Sequence, residues 1–97
     1  MKTTEARLKE NVKVILDALG AYYYMPVPTG YGATTLDFLC CIDGIFVAIE
    51  TKSPGNKPTR LQEVKLELVQ KAGGIAIWGD NIDSIIKQLQ AHNFNLA

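Results

Sequence analysis

Residues 36–52 read LDFLCCIDGIFVAIETK. Two apolar runs, Leu36–Ile42 and Ile45–Thr51, flank the dipeptide Asp43-Gly44. Asp-Gly between strand-like segments is a strong hairpin signal, because both residues tolerate the positive φ that a two-residue hairpin turn demands. With these two as the loop, Ile42 pairs with Ile45, Cys41 with Phe46 and Phe38 with Ile49, and Asp37 lands opposite Glu50. Cross-strand neighbours on one face have Cβ atoms about 4.5–5.5 Å apart. Lys52, two residues beyond Glu50, projects from that face as well. Leu39, Cys41, Phe46 and Ala48 continue it, and the other face carries Phe38, Cys40, Ile42, Ile45, Val47 and Ile49. Both faces are apolar, as in a strand pair sandwiched between layers.

Two carboxylates and a lysine therefore occupy one end of an otherwise apolar hairpin. Like charges directly opposite each other destabilise a sheet, and burial worsens the conflict. A divalent cation shared by Asp37 and Glu50 would resolve it, and hard oxygen ligands suit Mg²⁺ or Mn²⁺. The alternative is a solvated hairpin end at which Lys52 neutralises one carboxylate, an arrangement worth little to stability.

Outward from the hairpin, the chain alternates helix and strand signals. Leu8, Val12, Ile15, Leu16 and Leu19 recur at helical spacing, which predicts a helix over Thr4–Leu19 stopped by Gly20. The tyrosine-rich Ala21–Val27 reads as a strand, and Pro28–Thr35, with two glycines and a proline, as a loop. Beyond the hairpin, Ser53–Pro58 is a loop. A helix is expected over Arg60–Lys71, opened by a Thr59/Gln62 capping box and ended by Gly73-Gly74. Ile75–Trp78 is a short buried strand, and Asp80 or Asn81 caps a last helix ending near Ala91. The order α-β-β-β-α-β-α predicts a mixed sheet flanked by helices, an α/β or α+β domain.

At 97 residues one domain, 1–97, is expected, with a thin core. The composition is ordinary for a globular protein, without low complexity. A formal net charge of zero argues against a general nucleic-acid coat, while leaving room for a local basic patch. No apolar run is long enough for a bilayer, and Met1–Glu10 lacks a signal-peptide core, so an intracellular, cytoplasmic protein is expected. Cys40 and Cys41 point to opposite strand faces and read as two small buried residues. His92, the sole histidine, argues against a zinc site or a catalytic-histidine nuclease. Tyr22, Tyr23 and Tyr24 read as strand core and edge.

Asp37 before an apolar strand, followed by Glu50-Thr51-Lys52 on the next, resembles the (P)D…(D/E)XK nuclease motif, with Leu36 where a proline is usual. Within that superfamily the chain is most similar to the VRR-NUC group, especially its small stand-alone phage members. The similarity spans an initial helix with Glu5, the approach from Gly32 to Asp37, Ile49-Glu50-Thr51-Lys52, the Ser53-Pro54-Gly55 turn, Gln62, and the final strand and helix. The resemblance implies a restriction-endonuclease-like core and a Mg²⁺- or Mn²⁺-dependent DNA endonuclease. It further implies activity on branched DNA such as Holliday junctions, in a phage or recombination setting. By that resemblance Asp37 and Glu50 would ligate the metal, the Thr51 carbonyl would be a further ligand, and Lys52 would orient the attacking water and stabilise charge on the phosphate.

Glu5 and Glu10 compete for a third acidic role from the first helix. Helical phase favours Glu5, which borders the apolar stripe, over Glu10 on the far side; the competing reading of Glu5 is a helix N-terminal carboxylate that suits the macrodipole. Gln62 either only closes the capping box or, as the resemblance implies, also borders the site. Lys52, Lys57 and Arg60 lie in a segment without acids and fit contacts to the phosphate backbone, or a merely solvated basic loop. The glycines of Thr29-Gly30-Tyr31-Gly32, Gly30 and Gly32, would let a DNA strand approach closely; without a following Gly-Lys-Ser/Thr this is no P-loop. The rival reading is a catalytically silent nucleic-acid-binding or assembly domain. A homodimer is expected from the thin core, the single catalytic set and the resemblance, with Ala21–Tyr24 and the first helix as the leading interface candidates.

Overall fold

The hairpin turn forms as the Asp-Gly dipeptide requires: Asp43 has φ 52° and Gly44 φ 79° in the structure, a computed structural model. It describes residues 3–27 and 35–96. The elements run α1 (Thr4–Ala18), β1 (Tyr22–Tyr24), β2 (Phe38–Ile42), β3 (Ile45–Thr51), α2 (Arg60–Lys71), β4 (Ile75–Gly79) and α3 (Ile82–Ala91). This is the expected α-β-β-β-α-β-α order. The pairing is also as expected, with Ile42 opposite Ile45 and Phe38 opposite Ile49.

One mixed sheet has the order β1-β2-β3-β4. β1 and β2 pair antiparallel, as do β2 and β3, whereas β4 joins β3 in parallel. The parallel step follows from α2, which supplies the crossover that parallel neighbours need. Helix starts are set by side chains: Thr3, Thr59 and Asn81 each accept from a backbone N–H of the first turn, and Thr59 with Gln62 completes the capping box. Asn81 rather than Asp80 is therefore the cap of α3.

Strand alternation sends the two halves of the hairpin's apolar set to different helices. Phe38, Cys40, Ile42, Val47 and Ile49 form the main core with Leu8, Val12 and Leu16 of α1 and Ile85 and Leu89 of α3. Ala48, Leu39, Ala76 and Trp78 meet α2 on the opposite face through Leu66 and Val69. The expectation of a hairpin covered on both faces holds only for part of its length. Cys40 is buried as expected but Cys41 is exposed, because it lies on the face that α2 leaves open; Ile45 is 40% exposed and Phe46 46%. One helix covers one half of a four-stranded face, and α2 leaves the β1–β2 half open. Tyr24, Leu39, Phe46 and Leu68 line the resulting apolar groove of about 580 Å³. Tyr22 and Tyr24 lie on the edge strand and are exposed, while Tyr23 packs against the main core. β1 and β2 are shorter than Ala21–Val27 and Leu36–Ile42, and Asp37 lies just before β2. Among the described residues, no helix is long and apolar enough to cross a membrane.

Candidate active site

Asp37 and Glu50 meet where the hairpin pairing runs out. The Asp37 N–H donates to the Glu50 side chain, Oε1, at 3.0 Å, just beyond the last ladder pair, Phe38 and Ile49. The Asp37 carboxylate is not set square on Glu50's face. Its Oδ2 receives both the Thr51 N–H, at 2.9 Å, and the Thr51 hydroxyl. Thr51 points away from Glu50's face by strand alternation, so Asp37 lies over the end of β3 between the two faces. Thr51 is fully buried and Glu50 is 2% exposed.

Each helical layer sends one polar side chain to this pair. From α2, Gln62 donates its amide N–H to Glu50 Oε2 at 2.7 Å, and its Oε1 accepts from Lys52 Nζ at 3.2 Å. The same Oε1 closes the capping box by accepting the Thr59 N–H at 2.9 Å. The two readings of Gln62 are thus compatible in one side chain. Lys52 is placed by its backbone, whose N–H donates to Gly79 O at 3.0 Å and carries the β3–β4 pairing one residue on. From α1, Lys9 brings its ammonium to 3.6 Å from Asp37 Oδ1.

Burial in this pocket, reinforced by the negative charge of Asp37, pushes the Glu50 carboxyl up from 4.5 to about 7. The Asp37 N–H and the cations of Lys52 and Lys9 act in the opposite direction without cancelling it. A buried carboxylate held this far from its ordinary range beside a second carboxylate is one for which a divalent cation has a physical use. The donor set fits Mg²⁺ or Mn²⁺: hard oxygens from Asp37, Glu50 and the Thr51 backbone, with Mg²⁺ typically held by only one or two carboxylates plus water and phosphate.

Among the described residues no three His, Cys, Asp or Glu side chains gather as a metal-holding group. Glu5, half-buried in the first turn of α1, is therefore not brought together with Asp37 and Glu50. Lys9, one turn further along the same helix face, makes the contact with Asp37 instead. Sequence reasoning missed Lys9, although the phase that favoured Glu5 favours a residue four positions later equally. Glu10 is exposed.

Of the basic candidates, Lys57 is exposed in the loop beyond the site. That loop is pinned by Asp80, which accepts the Gly55 N–H at 2.9 Å; this bond and the Asn81 amide hold the Asp80 carboxyl below its usual range. Arg60 instead lies within α2's own charges, 3.3 Å from Glu63 and 3.8 Å from Glu67. Gly30 and Gly32 lie outside the described residues.

No protein-family model and no curated protein matches the chain by sequence. A solved structure of a "VRR_NUC domain" superposes with a TM-score of 0.78, over 94% of this chain and 98% of that one. The fold is that of a VRR_NUC domain. At 22% identity, the likeness concerns the path of the backbone. Within this VRR_NUC fold, the polar cluster joins the hairpin end to α1 on one side and α2 on the other.

Proposed function

We propose that the chain is a metal-dependent endonuclease that hydrolyses DNA phosphodiester bonds at the Asp37–Glu50–Lys52 cluster. The observation that carries this reading is the buried Glu50 carboxylate, joined to Asp37 at the backbone and linked through Gln62 to the Lys52 ammonium. Asp37, Glu50 and the Thr51 carbonyl would hold Mg²⁺ or Mn²⁺. When bound, the ion would offset charge on the phosphate in the transition state and make water a stronger nucleophile. Lys52, steadied by Gln62, orients the attacking water and stabilises charge gathering on the phosphate as the opposite P–O ester bond breaks. The likeness to a VRR_NUC domain and the sequence motif both support a nuclease-type domain.

The test is plasmid and oligonucleotide cleavage with Mn²⁺ against EDTA. A catalytically silent binding domain is the competing reading. It predicts DNA binding without turnover, whether or not Mn²⁺ raises the melting temperature as a ligand of the folded state must.

Substrate engagement falls to the basic loop. Lys57→Ala is expected to weaken DNA binding similarly across sequences and to lower the salt dependence of log K by roughly 0.9 for one lost phosphate contact. Arg60→Ala should act in the same direction but less, since its guanidinium already faces Glu63 and Glu67. Binding titrations at several salt concentrations decide this; unchanged slopes in the double variant place the DNA elsewhere.

The working unit we infer is a homodimer acting on branched DNA in a phage or recombination setting. Paired cuts on opposed strands need two copies of a single catalytic set, and a two-fold axis matches the symmetry of a four-way junction. The open groove of Tyr24, Leu39, Phe46 and Leu68 beside the β1 edge is the surface that best suits a second copy. Phe46→Glu is therefore expected to convert dimer to monomer in sedimentation at micromolar concentration. It should also change paired cutting of a cruciform plasmid into nicking. A wild-type monomer that only nicks such a plasmid contradicts the dimer and leaves the nuclease reading standing.

A further inference from the structure

Resting on the metal-site reading above, we propose that Lys9 is a placeholder cation. Its ammonium holds the edge of Asp37 that a divalent ion would take, so the ion binds by displacing it. The two oxygens of Asp37 are used differently. Oδ2 receives both polar hydrogens of Thr51 and is tied to β3. Oδ1 faces the Lys9 ammonium across 3.6 Å, wider than a hydrogen bond but within ion-pair range. Lys52 does not fill this role, because its Nζ is bonded to Gln62 on the other side of the cluster. Lys9 from α1 thus stands at Asp37, while Lys52, one residue past β3, reaches Glu50 only through Gln62.

A divalent ion would take Oδ1 as one of its hard oxygen ligands. The ammonium 3.6 Å from that same oxygen would compete with the ion for it, a like-charge conflict moderated by the partial exposure of both side chains. Lys9 is able to leave. Its side chain is 33% exposed while that of Asp37 is 20% exposed, and a flexible four-carbon stem lets the ammonium turn outward while its root stays in α1. The helix does not move with it, because Leu8, Val12 and Leu16 fix α1 to the core. Lys9 is thereby a positioning residue: it occupies the Oδ1 edge of Asp37 and sets how tightly the site takes the ion.

The test is a calorimetric titration of MnCl₂, without DNA at pH 7.5, into the wild type, Lys9→Gln, Lys9→Arg and Glu50→Gln. Lys9→Gln removes the competing charge and is expected to bind Mn²⁺ about three- to fivefold more tightly, the scale of a partly exposed ion pair. Lys9→Arg keeps the cation and is expected to stay within about twofold of the wild type by the same reasoning. Glu50→Gln should lose binding. A residue with a merely structural role would weaken binding when removed, not tighten it. Equal or weaker Mn²⁺ binding by a folded Lys9→Gln, with the wild type binding normally, overturns the placeholder and leaves the metal site intact. Absence of Mn²⁺ binding in wild type and Lys9→Gln alike overturns the metal site and the placeholder together.

Discussion

Glu50→Gln is expected to lower Mn²⁺-dependent DNA cleavage by at least about a hundredfold, the scale of removing a group that supports transition-state charge, while the protein stays folded. The substitution is close to isosteric. Glutamine can still accept the Asp37 N–H through its carbonyl oxygen, while its amide opposes the Gln62 amide, so the cluster loses the one hydrogen bond that Gln62 donates to Glu50. What disappears is the negative charge on which a divalent ion depends. Asp37→Asn and Lys52→Ala are expected to be similarly inactive for different reasons: the first removes the other metal-ligating charge, the second the cation that Gln62 steadies next to the phosphate. Each is checked by the time course of supercoiled plasmid loss, with circular dichroism to show that the fold persists. Full activity in Glu50→Gln would sink the assignment of the site.

The second large effect is on stability and its pH dependence without metal. The folded state keeps the Glu50 proton up to about pH 7, whereas the unfolded chain releases it near 4.5. Between those values the folded state holds more protons, so stability falls as pH rises through the window. The contribution is fully present below pH 4.5 and is lost above pH 7. At about 1.4 kcal/mol for each tenfold change in protonation equilibrium, the move from 4.5 to about 7 amounts to about 3 kcal/mol. That is a large share of the ~5–15 kcal/mol that holds a typical domain together. Urea unfolding in EDTA from pH 4.5 to 8.5 is expected to show this decline in the wild type relative to Glu50→Gln, which lacks the titration. Saturating Mn²⁺ should reverse the difference, because the ion favours the ionised carboxylate of the wild type. A wild type that gains stability relative to Glu50→Gln across the window, with EDTA present, would contradict the electrostatic account.

The hairpin was legible because its determinants are local. Asp43-Gly44 specifies the turn, the turn specifies the register, and the register sets Asp37 across from Glu50. The helix starts were legible for the same reason, since Thr59 and Gln62 lie within one turn of each other. Coverage of the sheet was not legible. Period-two alternation states that Phe46 and Cys41 share a face with Ala48, but not that α2 is too narrow to cover all three. Strand ends were also overextended, because apolar residues such as Leu36 and Val27 carry the strand signal past the last paired backbone. At the site, the spacing of Glu50 and Lys52 was readable, while the role of Gln62 as a bridge depends on how α2 packs. Lys9 was missed because an acid was sought on α1. A carboxylate whose neighbour is another carboxylate has equal reason to attract a base from that helix.

Cleavage of linear, nicked and four-way DNA by the purified wild type, with Mn²⁺ and with EDTA, tests the central claim most directly. The expected result is phosphodiester hydrolysis in Mn²⁺ alone, fastest on the four-way substrate and absent in Glu50→Gln. Bound DNA with no cutting of any of the three substrates in Mn²⁺ or Mg²⁺, or cutting that persists in EDTA, would contradict it.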